Sequence, residues 1–178
     1  MQKTLKHLAY ILVEDRVPKT EDEKGIYLGQ DHFWIDVQKI LNSKSFRRLE
    51  GKTQVWPLAE NPLVRNRLIH TMEVYFTAIT IARILGLNEE LTGAIALAHD
   101  LGHTPFGYLG ERILSKIALE KFDDPIGFKH ARFSVIVAQE IERNGQGLNL
   151  MPIICDGVEY HSRGAGTMTT LENVPQEF

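Results

Sequence analysis

Cysteine is nearly absent from this chain of 178 residues, which contains a single one, Cys155. One thiol cannot form an internal disulfide, which excludes a disulfide-stabilised secreted domain and favours a reducing compartment, the cytoplasm. We interpret Cys155 as a small buried apolar side chain and not as a nucleophile, since a free cysteine most often has that role.

An excess of charge of one sign and long apolar runs are also lacking. With 20 Lys and Arg against 23 Asp and Glu, the net charge is −3, which argues against a surface built throughout for nucleic acid. The local cations Arg47, Arg48 and Lys52 are interpreted as a solvated face or as part of a nucleotide-phosphate pocket, with nucleic acid kept as a candidate effector. No run reaches the roughly 18 apolar residues of a membrane span, and no small-residue cleavage site follows residues 1–10. We therefore expect neither a membrane span nor a secretory signal.

Patterns typical of strands are few, whereas helical periodicity is strong. The best alternating run, residues 53–56, is too short to build a sheet. Apolar residues recur at helical spacing over residues 67–85, with Gly86 as the C-cap, and Asn88 is placed to cap a second helix that ends at Ala98. The chain is therefore predicted to be all-α and to form a single domain over residues 1–178, with its core in 33–162 and a loosely ordered tail in 163–178. Further helices are predicted at 33–49, at 106–119 with Pro105 at its start, at 128–143 and at 152–160.

The adjacent pair His99 and Asp100 is the most informative feature of the sequence. It ends an apolar helix and leads into a turn at Gly102, where the two side chains can face a pocket. An imidazole suits Zn, Fe, Ni or Mn and a carboxylate suits Mg or Mn, so the pair predicts a divalent metal without selecting one. His70 is one turn after Arg67 on the preceding helix, on the same face. On its own His70 would be a core histidine, but metal sites in helical bundles take ligands from facing helices, so we predict that it joins the pair.

The segment His99-Asp-Leu-Gly-His-Thr-Pro-Phe-Gly-Tyr-Leu-Gly-Glu111 resembles a motif of the HD-domain phosphohydrolases. Within them it is similar to the deoxyguanosinetriphosphate triphosphohydrolase family, which has His-Asp-x-Gly-His/Asn-x-Pro-Phe-Gly-His-x-Gly-Glu. Other segments match blocks of the same family in the same order, so that the resemblance covers about residues 43–162. These are Ser45-Phe-Arg-Arg-Leu-Glu-Gly-Lys-Thr-Gln-Val55, Arg67-Leu-Ile-His-Thr-Met-Glu-Val74, residues 128–134, residues 147–150 and residues 156–162.

The resemblance implies an HD-domain helical bundle that uses a divalent metal (Mn, Mg, Fe, Ni or Zn) to hydrolyse a small-molecule nucleotide. In that family water attacks the α-phosphorus of a deoxynucleoside triphosphate and releases a deoxynucleoside and triphosphate; many members form homo-oligomers, which we keep as a candidate assembly. By position, the family's roles fall on residues of this chain as follows: His70, His99 and Asp100 bind metal, Arg67 contacts phosphate, Gln54 reads the 3′-hydroxyl, and Glu111 and His130 serve in acid–base chemistry.

Two positions depart from the family pattern. Tyr108 replaces a histidine that takes part in proton transfer; a tyrosine can donate a hydrogen bond but is a poor base at neutral pH. His103 either substitutes for that histidine or only lines the pocket. The family's fourth metal ligand, an aspartate of a later helix, has no counterpart here, so we expect either a C-terminally truncated homologue with altered activity or one that needs a partner to complete the pocket. The other acidic candidates are Asp123 and Asp124, which we expect in a solvated loop, and Asp156, expected as a structural or capping group.

These departures leave two alternative functions open. The first is an HD phosphohydrolase that acts on nucleoside monophosphates or other phosphate esters. The second is a nucleotide-binding module without catalytic activity.

Overall fold

A computed structural model of the chain describes residues 32–53, 65–122 and 124–162. These residues form helices, and the one β-bridge among them joins Thr53 to Asn66. The predicted all-α architecture is therefore confirmed. The helices are α1 (His32–Leu41), α2 (Lys44–Arg48) with a 3₁₀ turn at Leu49–Gly51, α3 (Arg67–Leu85), α4 (Glu89–Ala98), α5 (Gly107–Lys121), α6 (His130–Ile136) followed by a π turn at Val137–Ile141, the short α7 (Glu142–Gly145) and α8 (Pro152–Tyr160).

The central helices α3 and α4 have the bounds that the sequence predicts, because their ends carry strong caps. The side chain of Asn66 accepts a hydrogen bond from the backbone N–H of Ile69 at 2.9 Å, which starts α3. Gly86 ends it in a left-handed conformation, with φ of 69°. Asn88 caps α4 in the same way as Asn66 caps α3, through the backbone N–H of Leu91.

Two helix predictions are corrected at their ends. The helix predicted over 33–49 is split, because Ser43 has an extended backbone and its side chain caps a new helix through the N–H of Phe46. The helix predicted to start at Phe106 after Pro105 starts at Gly107 instead. Phe106 itself is left-handed, with φ of 63°, and so lies outside the helix.

The segment after residue 128 also differs from the single helix that was predicted to reach 143. Its α-helical part begins at His130 and ends at Ile136, where a π turn takes over. The backbone then reverses, with Arg143 and Asn144 at φ of 53° and 59°. This reversal lets the N–H of Leu148 donate to the carbonyl of Ala138 at 2.6 Å, so the following loop is bonded back to the π turn.

The core of the bundle lies around α4, which packs against α1, α3 and α8. Small side chains such as Ala94 and Ala98 are buried on α4, and a Cβ at Gly93 would lie 2.8 Å from the ring of Tyr75 on α3. Close packing on several sides fixes the C-terminal end of α4, where the His99–Asp100 pair begins. The largest fully buried apolar side chains are Ile40, Leu49, Leu97, Leu101, Leu148, Met151, Ile154 and Val158.

Helix α3 is long and apolar enough, by length and composition alone, to cross a membrane, and a single helix of this kind is weak evidence for a membrane span. Several of its apolar side chains are exposed, for example Phe76 and Ile84. Its first turn, however, carries the buried Arg67, whose guanidinium is bonded to Asp100, and α3 packs along α4. We therefore describe it as a helix of the bundle.

Cys155 on α8 fits its interpretation as a packing residue. Its sulfur accepts a hydrogen bond from the side-chain amide of Gln139 at 3.1 Å. Burial raises the pKa of the Cys155 thiol to about 11, so the thiol is protonated at neutral pH. A protonated thiol is a weak nucleophile.

Gly102 allows α6 to approach the turn that follows Asp100. Its N–H donates to the hydroxyl of Ser134 at 2.9 Å, and that hydroxyl donates to the carbonyl of His99 at 2.8 Å. A Cβ at Gly102 would collide with the backbone of Phe133 and Ser134, which cannot move aside as a flexible side chain can.

We therefore expect Gly102→Ala to lower the free energy of unfolding by at least about 2 kcal/mol, the range of overpacked sites. Gly51→Ala is the matched control, since a Cβ there meets nothing within 4 Å, and its effect should stay within about 0.5 kcal/mol. Urea unfolding of both variants measures the difference. Equal stability of the two would contradict the close approach of α6 to the turn.

Candidate metal centre

A cavity of about 590 Å³ opens where α3, the end of α4 and the start of α6 meet. This volume lies within the usual range of small-molecule sites. The cavity has a polar end and an apolar wall. The polar end is lined by Arg67, His70, His99, Asp100, His103, His130 and His161, and the wall by Val74, Ala78, Thr92, Ile95 and Ala96.

The three predicted metal ligands lie together at the polar end. His70, His99 and Asp100 each offer one ligand atom, and these atoms lie within 4.8 Å of one another. The rings of His70 and His99 meet edge to face, with 5.7 Å between their centroids. Helix α3 supplies the first ligand and the end of α4 the other two, as the sequence predicts. Their role as ligands stays a prediction.

The protonation of these groups suits a cation. The Nδ1 of His99 lies 2.7 Å from the carbonyl of Ala96, which can only accept, so Nδ1 donates there and holds the ring with Nε2 3.3 Å from Oδ2 of Asp100. Burial, followed by the nearby His99, lowers the pKa of His70 and keeps that ring neutral at pH 7. Burial alone would raise the pKa of Asp100, but the hydrogen bond to His99 and the charge of Arg67 hold it well below its usual range.

The donor set therefore fits a divalent ion. Two imidazoles and one carboxylate are a common protein set for Zn, Mn or Fe, and ligands on one ion lie about 3–4 Å apart. The 4.8 Å limit of this cluster leaves only a small side-chain adjustment to reach that spacing. The described residues thus include a His/Asp group that could hold such an ion.

Arg67 is the counter-charge of Asp100 in this structure. Its Nη1 donates to Oδ2 of Asp100 at 2.6 Å, and both side chains are about 95 % buried. A buried ion pair of this kind holds the carboxylate in one orientation. Arg67 also lines the cavity, where its guanidinium gives the polar end a positive charge.

His130 and Glu111 form a second pair beside the ligands. The backbone N–H of His130 donates to Oε1 of Glu111 at 3.0 Å, and its Nδ1 lies 2.9 Å from Oε2. Burial would raise the pKa of Glu111, but these bonds lower it, so its carboxylate is charged and accepts the Nδ1 proton. His130 therefore directs its other nitrogen, Nε2, away from Glu111, and Nε2 lies 3.9 Å from Oδ1 of Asp100.

His103 lines the cavity as a neutral ring. It stacks on His130, with 4.6 Å between the ring centroids, and its Nδ1 lies 3.1 Å from the carbonyl of Thr104. Burial, and then the charge of Arg67, lowers the pKa of His103 to about 4. A pKa this low makes the ring a weak base at pH 7, which favours the pocket-lining alternative for this residue.

Other candidate residues lie away from the cavity. Tyr108 is 73 % exposed and is not among the described residues that line the cavity. Asp124 bonds the N–H of Ile126 within its own loop. Asp156 is exposed in the middle of α8, so the capping role expected for it is wrong. Gln54 and Asp123 lie outside the described residues.

The three cations that were expected to form a solvated face or part of a phosphate pocket lie in two different environments. Arg47 and Arg48 are exposed on α2, which fits the solvated face. Lys52 is half-buried and its Nζ lies 3.5 Å from the carbonyl of Leu101, next to the His99–Asp100 turn. None of the three is among the described residues that line the cavity.

His161 also lines the cavity, although the sequence assigned it no role. It follows α8, and its Nε2 lies 3.3 Å from Nε2 of His130. Mainly because of burial, the pKa of His161 is lowered. The feature of the sequence that could have identified it as a cavity residue is its position just after an apolar helix, which His99 shares at the end of α4.

Comparison with known proteins gives one family and several relatives. Residues 67–175 match the model of the HD domain family. The chain is 42 % identical over 178 residues to a deoxyguanosinetriphosphate triphosphohydrolase-like protein of Caldanaerobacter subterraneus, which covers 97 % of this chain and 50 % of the relative. Proteins of the same description from Clostridium tetani and Desulfatibacillum aliphaticivorans are 39 % and 47 % identical, over 91 % and 76 % of this chain and 46 % and 37 % of their own length. The chain thus spans about half the length, or less, of the curated relatives that it matches.

Proposed function

Because this chain belongs to the HD domain family, we propose that it is a metal-dependent phosphohydrolase whose substrates are deoxynucleoside triphosphates. The observation that carries the proposal is the cavity in which His70, His99 and Asp100 face the same space as Arg67. The names of the relatives support the nucleotide substrate. The proposed products are a deoxynucleoside and triphosphate.

The proposed metal ligands are His70, His99 and Asp100. When bound, a divalent ion supplies Lewis-acid chemistry, which polarises a phosphoryl oxygen. The chain's own contribution is to hold two imidazoles and an ionised carboxylate in place. The hydrogen bond from His99 to Ala96 and the ion pair between Arg67 and Asp100 do this.

Arg67 is proposed to bind the triphosphate. A guanidinium is planar and always charged, and it forms paired hydrogen bonds with phosphate oxygens. Its burial at the polar end strengthens such bonds, because little water competes for them. As negative charge builds on the phosphate oxygens during hydrolysis, a fixed cation at this position stabilises the transition state.

His130 and Glu111 are proposed to move the proton. Hydrolysis at the α-phosphorus forms a bond from a water oxygen, breaks the bond to the 5′ oxygen and returns a proton to that oxygen. Glu111 holds the Nδ1 proton of His130, so Nε2 is the atom that can accept a proton from water and donate it again. The roles of His103 and Tyr108 in this step stay predictions; the low pKa of His103 favours a lining role.

The apolar wall is proposed to face the nucleoside. Val74 and Ala78 on α3 and Ile95 on α4 form a surface without charge beside the polar end. Such a division suits a ligand with a charged triphosphate at one end and a flat base at the other. Gln54, proposed to read the 3′-hydroxyl, keeps this role as a prediction.

Product analysis tests the proposed reaction. The protein is incubated with each of the four deoxynucleoside triphosphates in the presence of Mn²⁺, Mg²⁺, Fe²⁺, Ni²⁺ or Zn²⁺, and the products are separated by ion-exchange chromatography. We expect triphosphate and deoxynucleoside in equal amounts, and loss of both with His99→Gln. His32→Gln, on α1 and outside the cavity lining, is the matched control and should keep the activity.

Two other results would replace the proposal. Release of orthophosphate from deoxynucleoside monophosphates, with triphosphates intact, would identify a phosphohydrolase of other esters. Binding of a triphosphate by calorimetry without any product would identify a nucleotide-binding module.

A further inference from the structure

Gly157 lies within α8, at a position where the backbone does not require a glycine. Its φ is not positive, in contrast to those of Gly145 and Gly147. Inside a helix, glycine is less favourable than alanine, because its backbone loses more conformational freedom on folding. The reason for a glycine at this position therefore lies in what surrounds α8.

The side chain of Ile95 on α4 occupies the space next to Gly157, where α4 and α8 pack together. A Cβ at position 157 would lie 2.8 Å from Cγ1 of Ile95, 3.2 Å from Cγ2 and closer still to Cδ1. Carbon atoms that are not bonded to each other pack at about 3.5–4.0 Å. An alanine at position 157 would therefore displace the side chain of Ile95.

The cavity is the open space into which Ile95 can move. On one side Ile95 packs against the buried core cluster of the bundle, where the side chains are closely packed. On the other side it forms the apolar wall of the cavity together with Val74 and Ala78 of α3. A β-branched side chain in a helix has one strongly preferred rotamer, so a rotation that keeps Ile95 out of the cavity is unfavourable. A Cβ at position 157 would thus narrow the cavity at its apolar wall.

We propose that Gly157 determines which nucleosides the cavity accepts, because the lack of a side chain at this position leaves Ile95 clear of the space in front of the apolar wall. Gly157 is not among the described residues that line the cavity, so it acts through Ile95 as a positioning residue. The inference rests on the proposed function, since it takes the ligand at this wall to be the nucleoside of a deoxynucleoside triphosphate. A purine base is larger than a pyrimidine base and depends more on this space.

The polar end of the cavity does not depend on the contact between Gly157 and Ile95. Asp100 is held by Arg67, and His99 by a backbone carbonyl. Neither bond involves the side chain of Ile95, so triphosphate binding and the hydrolysis step should be preserved when Gly157 is replaced. A loss confined to binding of the nucleoside raises KM and leaves kcat unchanged, whereas damage to the polar end lowers kcat.

Kinetic measurements on Gly157→Ala with each of the four deoxynucleoside triphosphates and Mn²⁺ test the inference. One methylene in an apolar pocket changes discrimination by about 10–200-fold. We therefore expect KM for dGTP and dATP to rise by at least about tenfold, KM for dCTP and dTTP to rise less, and kcat to stay within about twofold. Inorganic triphosphate, which has no nucleoside, should bind to the variant in calorimetry as it does to the wild type. Gly51→Ala is the matched control, because a Cβ there meets nothing within 4 Å.

Two changes at Ile95 separate the position of its side chain from any other effect of the alanine. Ile95→Val removes Cδ1, the atom closest to the new Cβ, and in the Gly157→Ala background it should recover most of the loss in KM. Ile95→Phe fills the same part of the cavity from α4, so it should raise the same KM values while position 157 stays a glycine. A crystal structure of Gly157→Ala should show Ile95 displaced into the cavity.

Three results would overturn the inference alone, with hydrolysis of the triphosphates by the wild type intact. The first is unchanged KM values in both Gly157→Ala and Ile95→Phe. The second is a loss in Gly157→Ala that Ile95→Val does not reduce, and the third is an Ile95 side chain that stays in place in the crystal. A wild type that neither binds nor hydrolyses any deoxynucleoside triphosphate would instead contradict the proposed function, and the inference with it.

Discussion

Asp100→Asn is expected to abolish manganese binding and to reduce hydrolysis of a deoxynucleoside triphosphate by more than about 100-fold. Groups that only support a metal ligand already cost about 10–100-fold when they are replaced, and Asp100 is proposed to be a ligand itself. The amide keeps the size of the side chain but loses its charge. That charge is the only negative one in the proposed ligand group of His70, His99 and Asp100.

Asp156→Asn is the matched control for this loss, because Asp156 is an exposed aspartate in α8. It should bind manganese and turn over substrate as the wild type does. Manganese binding is measured by dialysis against MnCl₂, and substrate turnover by the ion-exchange assay of the products. If Asp100→Asn kept its manganese and its activity, Asp100 would not be a ligand and the metal centre as proposed would be wrong.

Arg67→Ala is expected to lower the free energy of unfolding of the metal-free protein by about 3–5 kcal/mol. Removal of one partner from a buried ion pair leaves the other charge without compensation, and such losses are in this range. Here the remaining charge would be that of Asp100, whose side chain is 4 % exposed. Arg65→Ala is the control, since Arg65 is exposed and pairs with Glu73 at the surface, where the loss should stay below about 1 kcal/mol.

Manganese should restore part of the stability of Arg67→Ala. An ion that binds next to Asp100 replaces the guanidinium as the source of positive charge, so the variant should gain more from manganese than the wild type gains. Urea unfolding with and without MnCl₂ measures both gains. Equal gains in the two proteins, or equal losses for the two arginine variants, would contradict the ion pair that we describe.

The proposed ligand cluster could be predicted from the sequence because its residues are close in sequence or follow a helical repeat. His99 and Asp100 are adjacent, and the caps that end α3 and start α4 leave only three residues between the two helices. His70 lies near the end of α4 because the two helices pack along each other. Local signals of this kind do not depend on how the rest of the chain packs.

The contacts between side chains within the cavity could not be predicted from sequence spacing. His130 and His161 are 31 residues apart, and their contact depends on how α6 packs against α8. The pairing of Glu111 with His130 and the choice of Arg67 as the counter-charge of Asp100 depend on side-chain rotation. Sequence spacing places these residues on faces but does not give the direction of a ring nitrogen.

The backbone conformation at Phe106 is another feature that could not be predicted from the sequence. The sequence predicts that a helix starts there, because Pro105 precedes it and apolar residues follow. The backbone at Phe106 is instead left-handed, and a Cβ at Gly110 would collide with the carbonyl of Pro105, so the turn is tighter than a simple helix start. Tyr108 is 73 % exposed on the helix that begins after this turn, which explains why a motif match alone does not place it in the cavity.

Anomalous diffraction from crystals grown with manganese tests the central claim most directly. We predict a manganese peak within about 2.0–2.3 Å of Nε2 of His99, of a ring nitrogen of His70 and of a carboxylate oxygen of Asp100. A structure in which these three side chains lie too far apart to share an ion, or in which manganese binds only elsewhere, would contradict the account.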